Sequence, residues 1–172
     1  MNWTTERLRQ FADRPVAIDD AVTKTYADLL HAIACWHQTL SEWGIGPGER
    51  VALIADYHIE VVALLQALTD RGCIVIPLAD EDQALLEERL QTARATRVIT
   101  VAPPHAAREM AQCRMLPADD APLPPLLASL VAAQKPGFII FTSGSTGKGK
   151  AVLLDYERMT RKYSAKVRPA FR

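Results

Sequence analysis

The stretch that decides the fold is "RVALIADYHIEVVALLQALTDRGCIVIPL", residues 50–78. It opens with a short apolar run over 50–56, continues with a helix-like segment over 58–72, and ends in a second apolar run that reaches residue 79. Short runs rich in valine and isoleucine, bounded by turn signals, are typical of buried strands. A strand, a helix and a strand in this order predict two parallel strands joined by a helix on the face of a sheet.

The segments on either side extend the same alternation. Before it, residues 26–44 carry apolar side chains at three- and four-residue steps, with Thr25 as the N-cap and Gly44 as the stop. After it, the sequence predicts a helix over 81–95 and a strand over 97–101. The repeated pattern predicts an α/β fold: one domain with a largely parallel sheet and flanking helices.

The pattern weakens over residues 103–136, which hold seven of the eleven prolines, and we expect a loop-rich connection there with a short helix around 126–134. Beyond it, apolar runs predict strands over 136–144 and 150–156, on either side of a glycine-rich loop. A final helix is expected to begin at Glu157.

The composition excludes several classes of protein. Twenty basic and 20 acidic residues leave no net charge, so nothing global favours nucleic acid or anionic lipid as a partner. Residues 157–172 are basic, but they carry no nucleic-acid-binding motif and indicate a solvated helix face. No segment approaches the roughly 20 apolar residues that span a bilayer, and the first residues lack the pattern of a secretory leader, so we expect a protein that is neither exported nor embedded in a membrane.

The histidines and cysteines show no pattern that is typical of a metal site. The four histidines show no spacing typical of metal ligands or of nucleophilic catalysis. Cys35, Cys73 and Cys113 lie far apart among apolar neighbours, so we expect buried, reduced thiols and a cytoplasmic protein.

The loop in "FTSGSTGKGKAVLLDY", residues 141–156, carries the strongest functional signal. Its glycines let the backbone approach a ligand closely, and hydroxyl and ammonium groups can complete a cradle for phosphate. One alternative is the P-loop of nucleotide hydrolases, because Gly144 to Lys150 match its first seven positions. Ala151 stands where that motif needs a magnesium-binding hydroxyl, and a strand follows where it needs a helix, so we disfavour this alternative.

Residues 141–152 resemble the signature loop of the adenylate-forming enzymes, the superfamily of acyl-CoA synthetases, peptide-synthetase adenylation domains and luciferases. Only Gly149 departs from the pattern, where the family has proline; this change removes a rigid φ and leaves a free N–H. Two upstream blocks agree with the resemblance: "TYADL" (25–29) with Asp28 for the usual glutamate, and the block over 44–78 that ends in Pro77 and Leu78.

The resemblance implies a reaction and a set of site residues. Family members join ATP and a small carboxylic acid into an acyl-adenylate and pyrophosphate, with Mg²⁺, and usually pass the acyl group to coenzyme A or a carrier thiol. Lys150 occupies the signature lysine position. The resemblance assigns the polyphosphate contacts to Thr142, Ser143, Gly144, Ser145, Thr146, Gly147, Lys148 and Lys150. It identifies no catalytic residue in this sequence.

The resemblance covers only the first part of the family's large N-terminal domain. The adenine- and ribose-binding segments and the small C-terminal domain have no counterpart in residues 1–172, so we expect a partial AMP-binding domain, inactive alone, from an acyl-CoA synthetase-like ligase. The alternative is a non-catalytic nucleotide-sensing or assembly module with the same fold. In either case, an uncovered sheet edge would favour self-association.

Overall fold

The computed structural model describes residues 3–19, 22–56, 58–79, 83–101, 108–142 and 150–164. The helices are α1 (Trp3–Arg9), α2 (Tyr26–Glu42), α3 (Ile59–Asp70), α4 (Gln83–Thr92), α5 (Pro125–Ala132) and α6 (Tyr156–Ser164). The strands are β1 (Pro15–Asp19), β2 (Val22–Thr25), β3 (Arg50–Ala55), β4 (Ile74–Leu78), β5 (Arg97–Val101), β6 (Gln112–Met115), β7 (Gly137–Thr142) and β8 (Lys150–Asp155). A single turn of 3₁₀-helix spans Arg108–Met110.

Six strands form one sheet in the order β6-β5-β3-β4-β7-β8. The four central strands are parallel: β3 pairs with β4 and β5, and β4 pairs with β7. The two outer strands run antiparallel to their neighbours. The predicted α/β fold with a largely parallel, helix-flanked sheet is therefore confirmed.

The sheet is buried on both faces because alternate residues of its strands enter two separate cores. Val51 and Leu53 of β3 pack with α2 and α3, whereas Ala52 between them packs with the cluster that contains Leu90 of α4 and Leu130 of α5. Successive side chains of a strand point to opposite faces, so α2 and α3 cover one face while α4 and α5 cover the other. This two-sided burial explains the nearly continuous apolar character of β3 and β4.

Helix α2 begins at the predicted cap. Thr25 Oγ1 accepts a hydrogen bond from the Asp28 backbone N–H at 3.2 Å, and the Thr25 backbone N–H donates to the Asp28 carboxylate at 2.8 Å. This reciprocal pair is a capping box, with aspartate in place of the usual glutamate. The predicted apolar stripe is buried at Leu29, Ile33, Trp36 and Leu40.

Three features of the fold were not predicted. Helix α1 and the β1–β2 hairpin, a separate two-stranded antiparallel sheet, precede α2. Strand β6 lies inside the proline-rich segment and pairs with β5, although most of its side chains are exposed. The expectation of three buried thiols is wrong for Cys35 and Cys113, which are half-buried: Cys113 lies at the margin of the core that α2 and α3 form, and Cys35 lies on α2 beside His31. Cys73 is fully buried.

Candidate phosphate-binding site

The two ends of the glycine-rich loop lie side by side at one edge of the sheet. Strand β7 ends at Thr142 and β8 begins at Lys150, and these two residues are partners in the antiparallel register. Because β7 runs parallel to β4, its final residue lies at the carboxyl edge of the parallel strands. Ligands of open α/β sheets bind outside this edge.

The candidate residues divide into two groups. Thr142 and Lys150 are described, and both are exposed. The other six predicted contacts, Ser143, Gly144, Ser145, Thr146, Gly147 and Lys148, lie outside the described residues. The predicted assignment of phosphate contacts to the loop therefore remains a prediction.

Side chains at the loop's two ends share one face of the hairpin. Thr142 and Lys150 are directly opposite each other, and the Thr142 hydroxyl donates to the Lys150 carbonyl oxygen at 3.4 Å. Partners in an antiparallel ladder point to the same side of the sheet. Within the described residues, the Lys150 ammonium has neither an ion pair nor a hydrogen bond, so it can receive an anionic ligand.

The opposite face of the hairpin is anchored to α4. The Arg89 guanidinium lies over the ring of Phe141, with 5.1 Å between the guanidinium carbon and the ring centroid. Phe141 also packs against the core cluster that contains Leu90 and Ile139. A cation over an aromatic ring at this distance is attractive, by about 0.5–1 kcal/mol at exposed sites. The strand that enters the loop is therefore held by contacts on its buried face.

Sequence reasoning missed the Arg89–Phe141 contact. Phe141 belongs to the signature, but Arg89 lies on a different helix, far away along the chain. The predicted helix mixes positive and negative side chains, and this pattern indicates only pairing along its own surface. No signal in the sequence singles out Arg89 as a neighbour of the loop.

The histidine that follows β3 has a structural partner at the same edge of the sheet. His58 is the N-cap of α3, and its Nδ1 accepts a hydrogen bond from the Glu60 backbone N–H at 3.2 Å. The Glu60 carboxylate in turn accepts a hydrogen bond from Trp36 Nε1 at 3.1 Å. His58 is therefore positioned by helix capping.

The described parts of the chain contain neither a metal-binding cluster nor a membrane-spanning helix. There, no group of three or more histidine, cysteine and acidic side chains is placed to hold a metal ion. None of the helices described combines the length and the apolar character needed to traverse a bilayer.

Comparison with known proteins identifies relatives over nearly the whole chain. A family model described as "AMP-binding enzyme" matches residues 4–172. The 2-succinylbenzoate–CoA ligase of Geobacillus kaustophilus is 29% identical in an alignment of 160 positions that covers 90% of this chain and 32% of that ligase. The acetyl-coenzyme A synthetase of Burkholderia mallei is 27% identical, over 79% of this chain and 26% of that synthetase. The chain thus spans about a third or less of these two relatives.

A solved structure shares the fold. The N-terminal subdomain of NpsA from Klebsiella oxytoca, in complex with 3-hydroxyanthranilyl-AMSN, matches with a TM-score of 0.66 at 22% identity. The match covers 91% of this chain and 40% of that one.

Proposed function

Because the chain belongs to the AMP-binding enzyme family, we propose that it is the N-terminal portion of a ligase that converts a carboxylic acid and ATP into an acyl- or aryl-adenylate. The observation that carries the proposal is the pairing of Thr142 with Lys150. It brings the two ends of the signature loop together at the ligand-binding edge of the sheet.

In the proposed site, the loop binds the β- and γ-phosphates of ATP. The reacting carboxylate is itself an anion, so its attack on the α-phosphorus requires that the negative charge of the polyphosphate be screened. Lys150 supplies a positive charge at the end of the loop, and the Thr142 hydroxyl lies on the same face. The remaining loop residues, Ser143 to Lys148, complete the cradle with amides, hydroxyls and a second ammonium. Mg²⁺ would enter with the nucleotide and share the phosphate charge.

The proposed acceptor of the acyl group is a thiol, coenzyme A in an acyl-CoA synthetase-like enzyme. Two of the relatives are named as a coenzyme A ligase and a coenzyme A synthetase, and this supports coenzyme A as the acceptor. The described residues do not select one particular acid. We also propose a cytoplasmic location, since free thiols are typical of a reducing compartment.

We propose that the 172-residue polypeptide alone does not form an acyl-adenylate. It spans 32% and 26% of the two CoA-forming relatives, so most of their length has no counterpart here. A pyrophosphate-exchange assay with a panel of carboxylic acids tests the proposal, and no exchange above a no-protein control is expected. Exchange that depends on the acid would refute the proposed inactivity.

The loop itself is tested by binding, which does not require turnover. Titration calorimetry with ATP or pyrophosphate should detect weak affinity, and Lys150→Ala should weaken it at least fivefold because a charge facing the phosphates is lost. Lys24→Ala is the matched control, because Lys24 lies on the separate β1–β2 hairpin. Equal affinity in the Lys150 variant and the control would exclude Lys150 from the site.

We also propose that the polypeptide self-associates through β8. In the sheet order this strand is terminal, and among the described residues it pairs only with β7. Val152 and its partner Ile140 are 40% and 38% exposed on one face of the hairpin. Unpaired strand edges with apolar side chains favour pairing with another chain. Sedimentation velocity should show a concentration-dependent oligomer that Val152→Lys reduces; a strictly monomeric profile would refute the proposal.

A further inference from the structure

The edge of the sheet opposite the candidate loop contains a cavity rich in arginine. The cavity has a volume of about 480 Å³ and lies at the amino ends of β3 and β5, beneath the segment that follows β6. Its polar lining includes Arg50, Arg94 and Arg97, together with Glu49 and Asp119. The cavity lining therefore has three guanidinium groups but only two carboxylates.

Two of these arginines have carboxylate partners. Arg97 binds Glu49 in a two-pronged arrangement, with 3.3 Å from Nε to Oε2 and 3.2 Å from Nη2 to Oε1. Arg94 forms an ion pair with Asp119. The two carboxylates of the cavity lining are therefore both engaged.

The third guanidinium, that of Arg50, forms no ion pair or hydrogen bond with a carboxylate among the residues that the structure describes, and Glu49 and Asp119 act on it only by longer-range attraction. Its Nε donates to the Arg94 carbonyl oxygen, close to the end of α4. Within the same part of the chain, its two terminal nitrogens have no hydrogen-bond or ion-pair partner, although the side chain is partly buried at the cavity. Burial lowers the pKa of Arg50 because desolvation disfavours the charged form, and this outweighs the opposing attraction of Glu49 and Asp119. An anion in the cavity would offset this cost.

Apart from Thr96, whose hydroxyl donates to the Glu49 carboxylate, the rest of the lining is apolar and constrains the shape of the ligand. Met115, Leu116, Pro117 and Val131 line the cavity next to the arginines. A free inorganic ion would leave this surface in contact with water, whereas an anionic group on a small apolar body would satisfy both parts. The volume is within the range of small-molecule sites, about 300–1,000 Å³.

We propose that this cavity is a second ligand site, in which the terminal nitrogens of Arg50 bind the carboxylate or phosphate group of a small organic anion. A guanidinium presents two parallel N–H donors, which match either group. The site is separate from the candidate loop: strand β3 has six residues, and at about 3.3 Å per residue the two edges of the sheet lie roughly 20 Å apart. Anion binding here is therefore independent of the proposed nucleotide site.

The experiment is a calorimetric titration of the 172-residue chain with three probes: benzoate, phenyl phosphate and inorganic phosphate. The two organic anions should bind more tightly than inorganic phosphate, and the preferred group distinguishes a carboxylate from a phosphate ligand. Arg50→Gln should weaken binding at least tenfold, and Arg50→Lys should weaken it less because the charge is retained. Arg158→Gln is the matched control, because that side chain is 84% exposed on α6.

A second variant keeps the test valid if Arg50→Gln does not fold, which circular dichroism would reveal. Leu116→Trp leaves the arginines intact and fills the cavity, so it should also abolish binding. Lys150→Ala should leave the affinity for benzoate unchanged, which separates this site from the loop. The proposal is overturned if the wild-type chain binds neither organic anion at about 10 mM, roughly ten times the Kd of a weak millimolar site, or if Leu116→Trp binds them normally.

Discussion

Gly72, between α3 and β4, is a position where a single methyl group should be costly. Its φ is +75°, in the left-handed region that disfavours side chains, and a Cβ placed there would lie 2.5 Å from the carbonyl oxygen of Gln134. That oxygen belongs to the backbone and cannot move aside as a side chain could. The Gly72 carbonyl also accepts a hydrogen bond from the Gly48 N–H at 3.0 Å, which ties the turn to its neighbour.

The cost of Gly72→Ala has two parts. The left-handed conformation costs about 1–2 kcal/mol for a residue with a Cβ, reduced by roughly 0.4–1 kcal/mol because alanine restricts the unfolded chain. The clash with Gln134 adds about 1–3 kcal/mol, the usual range for forced overpacking. We therefore expect Gly72→Ala to lower the free energy of unfolding by about 2–4 kcal/mol.

Gly44→Ala is the control, because Gly44 has a φ of +66° but no atom lies within 4 Å of the position that a Cβ would occupy. It should cost only the conformational part, about 1 kcal/mol. Urea unfolding followed by circular dichroism measures both variants. If the two substitutions cost the same within about 0.5 kcal/mol, the close approach of Gln134 to Gly72 does not exist in solution.

Three further predictions concern local interactions. Thr25→Ala removes the cap of α2 and should lower the free energy of unfolding, measured by urea titration, by about 1 kcal/mol. An unchanged free energy of unfolding would mean that the capping box is not formed. Hydrogen bonds from Thr25 lower the pKa of Asp28 below its ordinary 3.8. The ionised Asp28 carboxylate therefore stabilises the fold above pH 3.8, and this stabilisation is lost as the pH falls through the folded-state pKa. Asp28→Asn should therefore flatten the acid side of the stability curve, and an unchanged curve would contradict this. Desolvation raises the pKa of Cys73 to about 12. Iodoacetamide at pH 8 should therefore modify half-buried Cys35 and spare Cys73, and mass spectrometry measures the two extents of modification. Equal modification of the two cysteines would contradict the burial of Cys73.

The candidate site could be predicted only where its chemistry is local in sequence. The apolar runs on either side of the glycine-rich loop predicted the strands that end at Thr142 and begin at Lys150, and both strands are present. The contact between Arg89 and Phe141 could not be predicted, because it depends on where α4 packs against the sheet. The terminal nitrogens of Arg50, which have no hydrogen-bond partner among the described residues, were hidden for the same reason: Arg94 and Asp119 reach the cavity from other parts of the chain.

Strand β6 shows why the outer sheet was harder to predict than its centre. The central strands are buried on both faces, so they appear in the sequence as continuous apolar runs. Strand β6 contributes a half-buried Cys113 between exposed neighbours, and its hydrogen bonds to β5 hold it in place. Backbone pairing of this kind has little dependence on side-chain type, so it leaves almost no mark on composition.

Local patterns in the chain were enough to establish the alternation of strands and helices, the cap at Thr25 and the family signature after Phe141, because each depends on residues a few positions apart. Strand order, the antiparallel outer strands and the groups that surround Arg50 required coordinates. They arise from contacts between distant segments, and such contacts are selected by the packing of the whole sheet rather than by the preferences of any one segment.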